Sequence, residues 1–170
     1  MTGLVRTLAD IALLRGDPSG LPSSWASVSV FVLTYAVADI VVALTASVQP
    51  ILARTAVDLA LTLPFFWLLL AITRRSHRFP QTINAALGVY VLLAPIIVLL
   101  LFLWNSARSS DALELLITAS FTILTIWYLL IMGHILRSAL ETGLVTGFAI
   151  AVTWLVVSVA ISRRLFGDPT

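Results

Sequence analysis

Cysteine and lysine are both absent from this 170-residue chain. Without cysteine there can be no disulfide, no thiolate metal site and no cysteine nucleophile. Without lysine, all ten basic residues are arginines that keep their charge at any physiological pH. Charge of either sign is scarce: charged residues make up 11% of the chain against 60% hydrophobic residues, and mean hydropathy is +1.07. The arginines stand singly or in pairs between apolar runs, as membrane-interface anchors do, so the net charge of +2 does not describe a nucleic-acid surface. Recognisable catalytic motifs are missing too. There is no GxxxxGK[ST], no HExxH, no GxSxG and no paired-acid motif, and no candidate base and nucleophile share a depth. We therefore expect no enzymatic activity, no cofactor, no metal and no nucleic-acid partner.

What the chain does contain is five apolar runs, each near the ~20 residues of helix that cross a hydrocarbon core. They lie at about Val28–Val48, Ala53–Thr73, Ile83–Trp104, Leu113–Gly133 and Gly143–Ile161, with the helical pattern of the fourth running on to Leu140. Gln49-Pro50 ends the first and Arg163-Arg164 closes the last; Pro64 and Pro95 fall inside the second and third and should kink them. The predicted fold is all-α: a polytopic transmembrane bundle of five helices over 28–162, with a short tail at 163–170.

Residues 1–16 do not form a signal peptide, because Arg6, Asp10 and Arg15 interrupt the apolar stretch. Leu4, Leu8 and Ile11, flanked by Val5 and Ala12, share one helical face, which predicts an amphipathic helix in the headgroup region. The linker at 17–27 is rich in Gly, Pro and Ser; Ser23 or Ser24 can cap the next helix, and Trp25 sits where an interfacial aromatic belongs. An odd number of spans places the two termini on opposite sides. The side holding the N-terminus, side A, carries Arg6, Arg15, Arg74, Arg75, Arg78 and Arg137; side B carries Arg54, Arg108, Arg163 and Arg164. The excess of arginine on side A predicts a cytoplasmic N-terminus and a periplasmic C-terminus in a bacterial inner membrane.

Asp39 is the residue that most invites a chemical role. It lies roughly 16 Å into the first span at 1.5 Å per residue, where a carboxyl group must face protein or water. Two readings stand open: a proton or ion site, or a hydrogen-bonded packing residue. Asp58 follows Arg54 by four residues, and Glu114 with Arg108 reaches a similar depth, so these four are expected to form an interfacial charge layer. Thr118, Thr122 and Thr125 continue a stripe from Glu114 at helical spacing, predicted to face the bundle interior. Gly143, Gly147 and Ala151 form a small-residue ladder for close helix packing, within the bundle or between protomers. Arg74, Arg75, Arg78, His134 and Arg137 gather at side A as candidate contacts to lipid headgroups or a partner, with Glu141 four residues beyond Arg137.

The stretch Leu13-Leu14-Arg15-Gly16-Asp17-Pro18-Ser19-Gly20-Leu21-Pro22 leads into the first span. Ile126-Trp127-Tyr128 and Gly133-His134-Ile135-Leu136-Arg137-Ser138-Ala139-Leu140 close the fourth. With the span order, these stretches resemble the Yip family (Ypt-interacting protein type), especially its short bacterial members. That resemblance implies a non-enzymatic membrane protein acting through other membrane proteins or lipids, with no catalytic residues to carry over. The chain lacks the long cytosolic N-terminal segment of the eukaryotic members, so a trafficking-GTPase role is not implied. The function expected is an accessory or scaffold protein whose partners are the bilayer, other integral membrane proteins or copies of itself. The alternative is a small proton or ion transporter using Asp39 and the threonine stripe, acting as an oligomer.

Overall fold

A computed structural model describes residues 2–106 and 111–167. Six α-helices account for most of them: α1 (Thr2–Ala12), α2 (Trp25–Thr45), α3 (Ile51–Ile72), α4 (Phe79–Ser106), α5 (Asp111–Leu140) and α6 (Leu144–Phe166). The last five are each long and apolar enough to cross a membrane, the shortest being α2 with 21 residues. This is the architecture of a multi-pass membrane protein. The helices start and stop within a few residues of the expected spans, and α3 and α4 run through Pro64 and Pro95 without a break.

Helix ends follow local chemistry. Ser24 caps α2 by accepting the Ser27 amide at 3.1 Å, and Asp17 accepts the Ser19 amide at 2.7 Å to open a short 3₁₀ turn at Pro18–Gly20. The C-termini of α1, α2, α3 and α5 are each followed by a left-handed residue other than glycine: Leu14, Ser47, Arg74 and Glu141. In each case the next amide reaches back to a carbonyl five residues earlier, as Val48 does to Ala43 and Thr142 to Arg137.

The core is concentrated at side A. Buried residues of α4 run from Phe79 to Ala94, and those of α5 gather between Ile131 and Leu140, while the side B halves of both helices are largely exposed. α1 completes this end. Its Leu8, Ile11 and Ala12 are buried in the common core, so much of the face assigned above to headgroups packs on protein; Leu4 and Val5 remain exposed. Gly88 on α4 permits that docking, because a Cβ there would stand 2.7 Å from both Leu8 and Phe31. The linker is tied down as well: Asn84 donates to Pro22 O at 2.9 Å and to Ser27 Oγ at 2.8 Å.

Candidate functional site

Helical spacing places Tyr35 and Asp39 on one face of α2, and Thr55, Asp58 and Thr62 on one face of α3. These faces meet Tyr90 of α4. Thr55 Oγ1 donates to Asp39 Oδ2 at 2.5 Å, and the Tyr90 hydroxyl donates to Asp39 Oδ1 at 2.9 Å. The Tyr35 hydroxyl donates to Asp58 Oδ2. The rings of Tyr35 and Tyr90 pack with centroids 4.7 Å apart, so the two acids belong to one contiguous cluster. Beside it lies a cavity of about 160 Å³ whose lining includes Tyr35, Asp58, Thr62, Tyr90, Tyr128 and Ser158. A carboxyl group at the centre of a membrane span costs about 3 kcal/mol on insertion scales, and hydrogen bonds from hydroxyls offset part of such a cost.

Several predicted members of this region go elsewhere. Arg54 does not pair with Asp58: its Nε donates to Gln49 O at 3.1 Å and its guanidinium lies over the Phe166 ring, 4.8 Å from the centroid. Glu114 is exposed at the start of α5, and Arg108 lies outside the described residues; among the described residues no basic partner joins Asp58. The threonine stripe is also corrected. Thr118, Thr122 and Thr125 are exposed, and each hydroxyl donates to the carbonyl four residues earlier on its own helix, at 2.8–2.9 Å. That internal bond satisfies a hydroxyl without a neighbouring helix, which is why threonine can face outward here. With Leu101, Trp104, Phe121 and Ile126, the three line an open cleft of about 460 Å³ between α4 and α5, separate from Asp39.

At side A the arginines divide. Glu141 binds Arg75 at 2.7 Å and Arg78 at 2.5 Å, and Arg78 Nη1 also donates to Ser138 O at 3.1 Å. This clasp fastens the α3–α4 turn to the C-terminal end of α5, where exposed carbonyls favour a cation. The bond from Arg78 and the charge of Arg75 hold the Glu141 carboxyl below its ordinary range. Ser138 donates to Asp17 at 2.8 Å, and His134 Nε2 donates to Gly16 O at 2.8 Å, securing the linker to α5. Burial pushes the Asp17 carboxyl upward, but the Ser19 and Ser138 bonds and the His134 charge outweigh it and leave it lowered. Arg74 and Arg137 are the exposed members of the predicted headgroup set.

The small-residue ladder is used inside the chain. A Cβ on Gly147 would stand 2.3 Å from Gly133 O, and one on Gly133 would stand 2.9 Å from the Phe148 backbone. Gly147 and Ala151 are buried against α5, whereas Gly143 is the exposed N-cap of α6 with open space around it. The seam therefore joins α5 to α6. Its opposing glycine, Gly133, was not singled out in the sequence, nor were Tyr35, Thr55, Thr62, Tyr90 and Tyr128. For Tyr35, Thr55 and Thr62 the available signal was a polar residue three or four positions from an acid; Tyr90, Tyr128 and Gly133 lie on other helices and carried none. No family model, characterised protein or solved structure matches the chain.

Proposed function

We propose that this is a non-enzymatic accessory protein of a bacterial inner membrane, with a cytoplasmic N-terminus, that packs against a transmembrane helix of another membrane protein. The observation that carries this reading is the cleft between the side B halves of α4 and α5, where the threonine row and Trp104 stand clear of the bundle. The other small-residue surface is already consumed by the α5–α6 contact, and the described connections between spans are short. Resemblance to the Yip family supports the same reading. A hydroxyl row beside a groove admits a close helix approach, and threonines can exchange their internal bonds for interhelical ones. Exposed Arg74 and Arg137 would face anionic headgroups on the cytoplasmic side.

The absence of cysteine makes a clean test available. A single cysteine at Thr122, reacted in native membranes with a short bifunctional reagent, should give a defined adduct with one other membrane protein. The same cysteine at Val156, exposed on α6, should give none. A purely monomeric pattern at Thr122, or an adduct only with a second copy of the chain, would refute the partner proposed.

A further inference from the structure

The acid cluster has a charge imbalance that its own side chains leave open. Asp39 has both carboxylate oxygens engaged by hydroxyl donors. Asp58 has one oxygen engaged, by Tyr35. The groups facing Asp58 are Tyr35 and Asp39 from α2, Tyr90 from α4, Tyr128 from α5, and Trp154 and Ser158 from α6. None is basic, and Arg54 on its own helix is turned away. Two carboxylates in a low-dielectric interior, with no facing cation among the described residues, are unstable as a doubly charged pair.

A second, independent observation lies one turn further along α3. Thr62 is 8% exposed and lines the cavity, yet its hydroxyl has no hydrogen-bond partner among the described residues. The other buried threonines, Thr55 and Thr82, are both bonded, to Asp39 and to Arg78 O. A hydroxyl without a protein partner in the lining of a cavity is free to bind a ligand or a water. Asp58 and Thr62 share a helix face at i, i+4, so a carboxylate oxygen and a hydroxyl oxygen border the same space. That space is large enough for a small ion with a few waters, at roughly 30 Å³ each.

We propose that Asp58 and Thr62 form a binding site for one monovalent cation, either a proton taken up on the Asp58 carboxyl with a water on Thr62, or an alkali-metal ion bound by both oxygens. Asp39, with both oxygens held by Thr55 and Tyr90, is the neighbouring acid of the cluster and takes no part in the binding. No third carboxylate, histidine or cysteine joins the acids among the described residues, so a transition metal would lack its usual ligand set. This inference is independent of the partner proposed for the α4–α5 cleft.

Infrared difference spectroscopy on the full chain in lipid nanodiscs tests it, with protons and sodium chloride as the probes. A carboxyl signal that responds to proton concentration, or one that appears on adding sodium at fixed pH, is expected. The first marks a proton and the second an alkali-metal ion. The signal should vanish in Asp58→Asn and persist in Asp39→Asn. Thr62→Val, which keeps the volume and removes only the hydroxyl, should weaken sodium binding about tenfold, or shift the carboxyl band if the ligand is a proton. This second variant decides the matter if Asp58→Asn does not fold. No signal with either probe, a signal surviving Asp58→Asn, or an unchanged Thr62→Val would overturn the proposal.

Discussion

Four residues with side chains occupy a backbone region that glycine fills most easily: Leu14, Ser47, Arg74 and Glu141, with φ between 50° and 61°. Each costs about 1 kcal/mol relative to an unstrained conformation, and what each gains in return differs. Ser47 shows no side-chain bond, so Ser47→Gly should raise stability by about 0.5–1 kcal/mol, read as a higher thermal midpoint in mild detergent. Glu141→Gly relieves the same strain but removes the partner of Arg75 and Arg78, so its midpoint should rise less or fall. Strain at Glu141 is thus tied to a contact, whereas at Ser47 it is only a chain reversal. The clasp also sets a pH dependence. The folded Glu141 carboxyl is held below its ordinary range by Arg78 and Arg75, so its contribution is present above that range and lost as pH falls through the folded value. The stability difference between wild type and Glu141→Gln should therefore shrink to nothing in acid; a difference that stays constant with pH would rule the clasp out as its source. At this scale the sequence named Asp39, Asp58, Arg75 and Arg78 as notable. It paired only Asp58, with Arg54, and the structure does not form that pair, because a carboxylate takes whichever donor the packing brings closest. For Asp58 that donor is a tyrosine from α2 and not the arginine one turn away.

At the scale of elements, helix extents were legible and helix faces were not. Apolar length and punctuation by Gln49-Pro50, Gly143 and Arg163-Arg164 are properties of the local chain, and α2 to α6 match the expected spans closely. Which side of a span meets protein depends on its neighbours, since both lipid and protein accept apolar side chains. The low amphipathic contrast of the spans leaves little to read. The outward threonine row shows the consequence, because its hydroxyls are satisfied within α5. Replacing Thr118, Thr122 and Thr125 together with valine should leave thermal stability within about 0.5 kcal/mol per site, while abolishing the partner adduct on a nearby engineered cysteine. On the opposite seam the effect reverses. Gly147→Ala drives a methyl group into Gly133 O and should cost about 1–3 kcal/mol. Gly143→Ser, at the exposed N-cap of the same ladder, should stay within about 0.5 kcal/mol of wild type. Equal losses at the two positions would mean that the ladder is not the α5–α6 contact described here.

Across the whole molecule, packing is uneven along the membrane normal. Side A holds α1, the linker, the first half of α4, the last half of α5 and the Glu141 clasp; side B holds the exposed ends of α4 and α5 and the cleft between them. Amide hydrogen exchange in detergent should therefore protect residues 131–140 of α5 far more than residues 111–126, and a uniform helix would contradict this asymmetry. The same uneven packing separates what each level of description could decide. The sequence by itself determined that the chain is helical, that five of its helices are long and apolar enough to cross a membrane, and that cysteine chemistry is closed to it. Those properties follow from composition and run length, which need no knowledge of neighbours. Only the tertiary structure decided that α1 docks on protein, that Gly147 meets Gly133, that the threonines face outward, and that Asp39 and Asp58 share one cluster with Tyr35 and Tyr90. Each of these is a contact between residues far apart in the chain, set by which faces bury together, and periodicity along one helix carries no record of its neighbour.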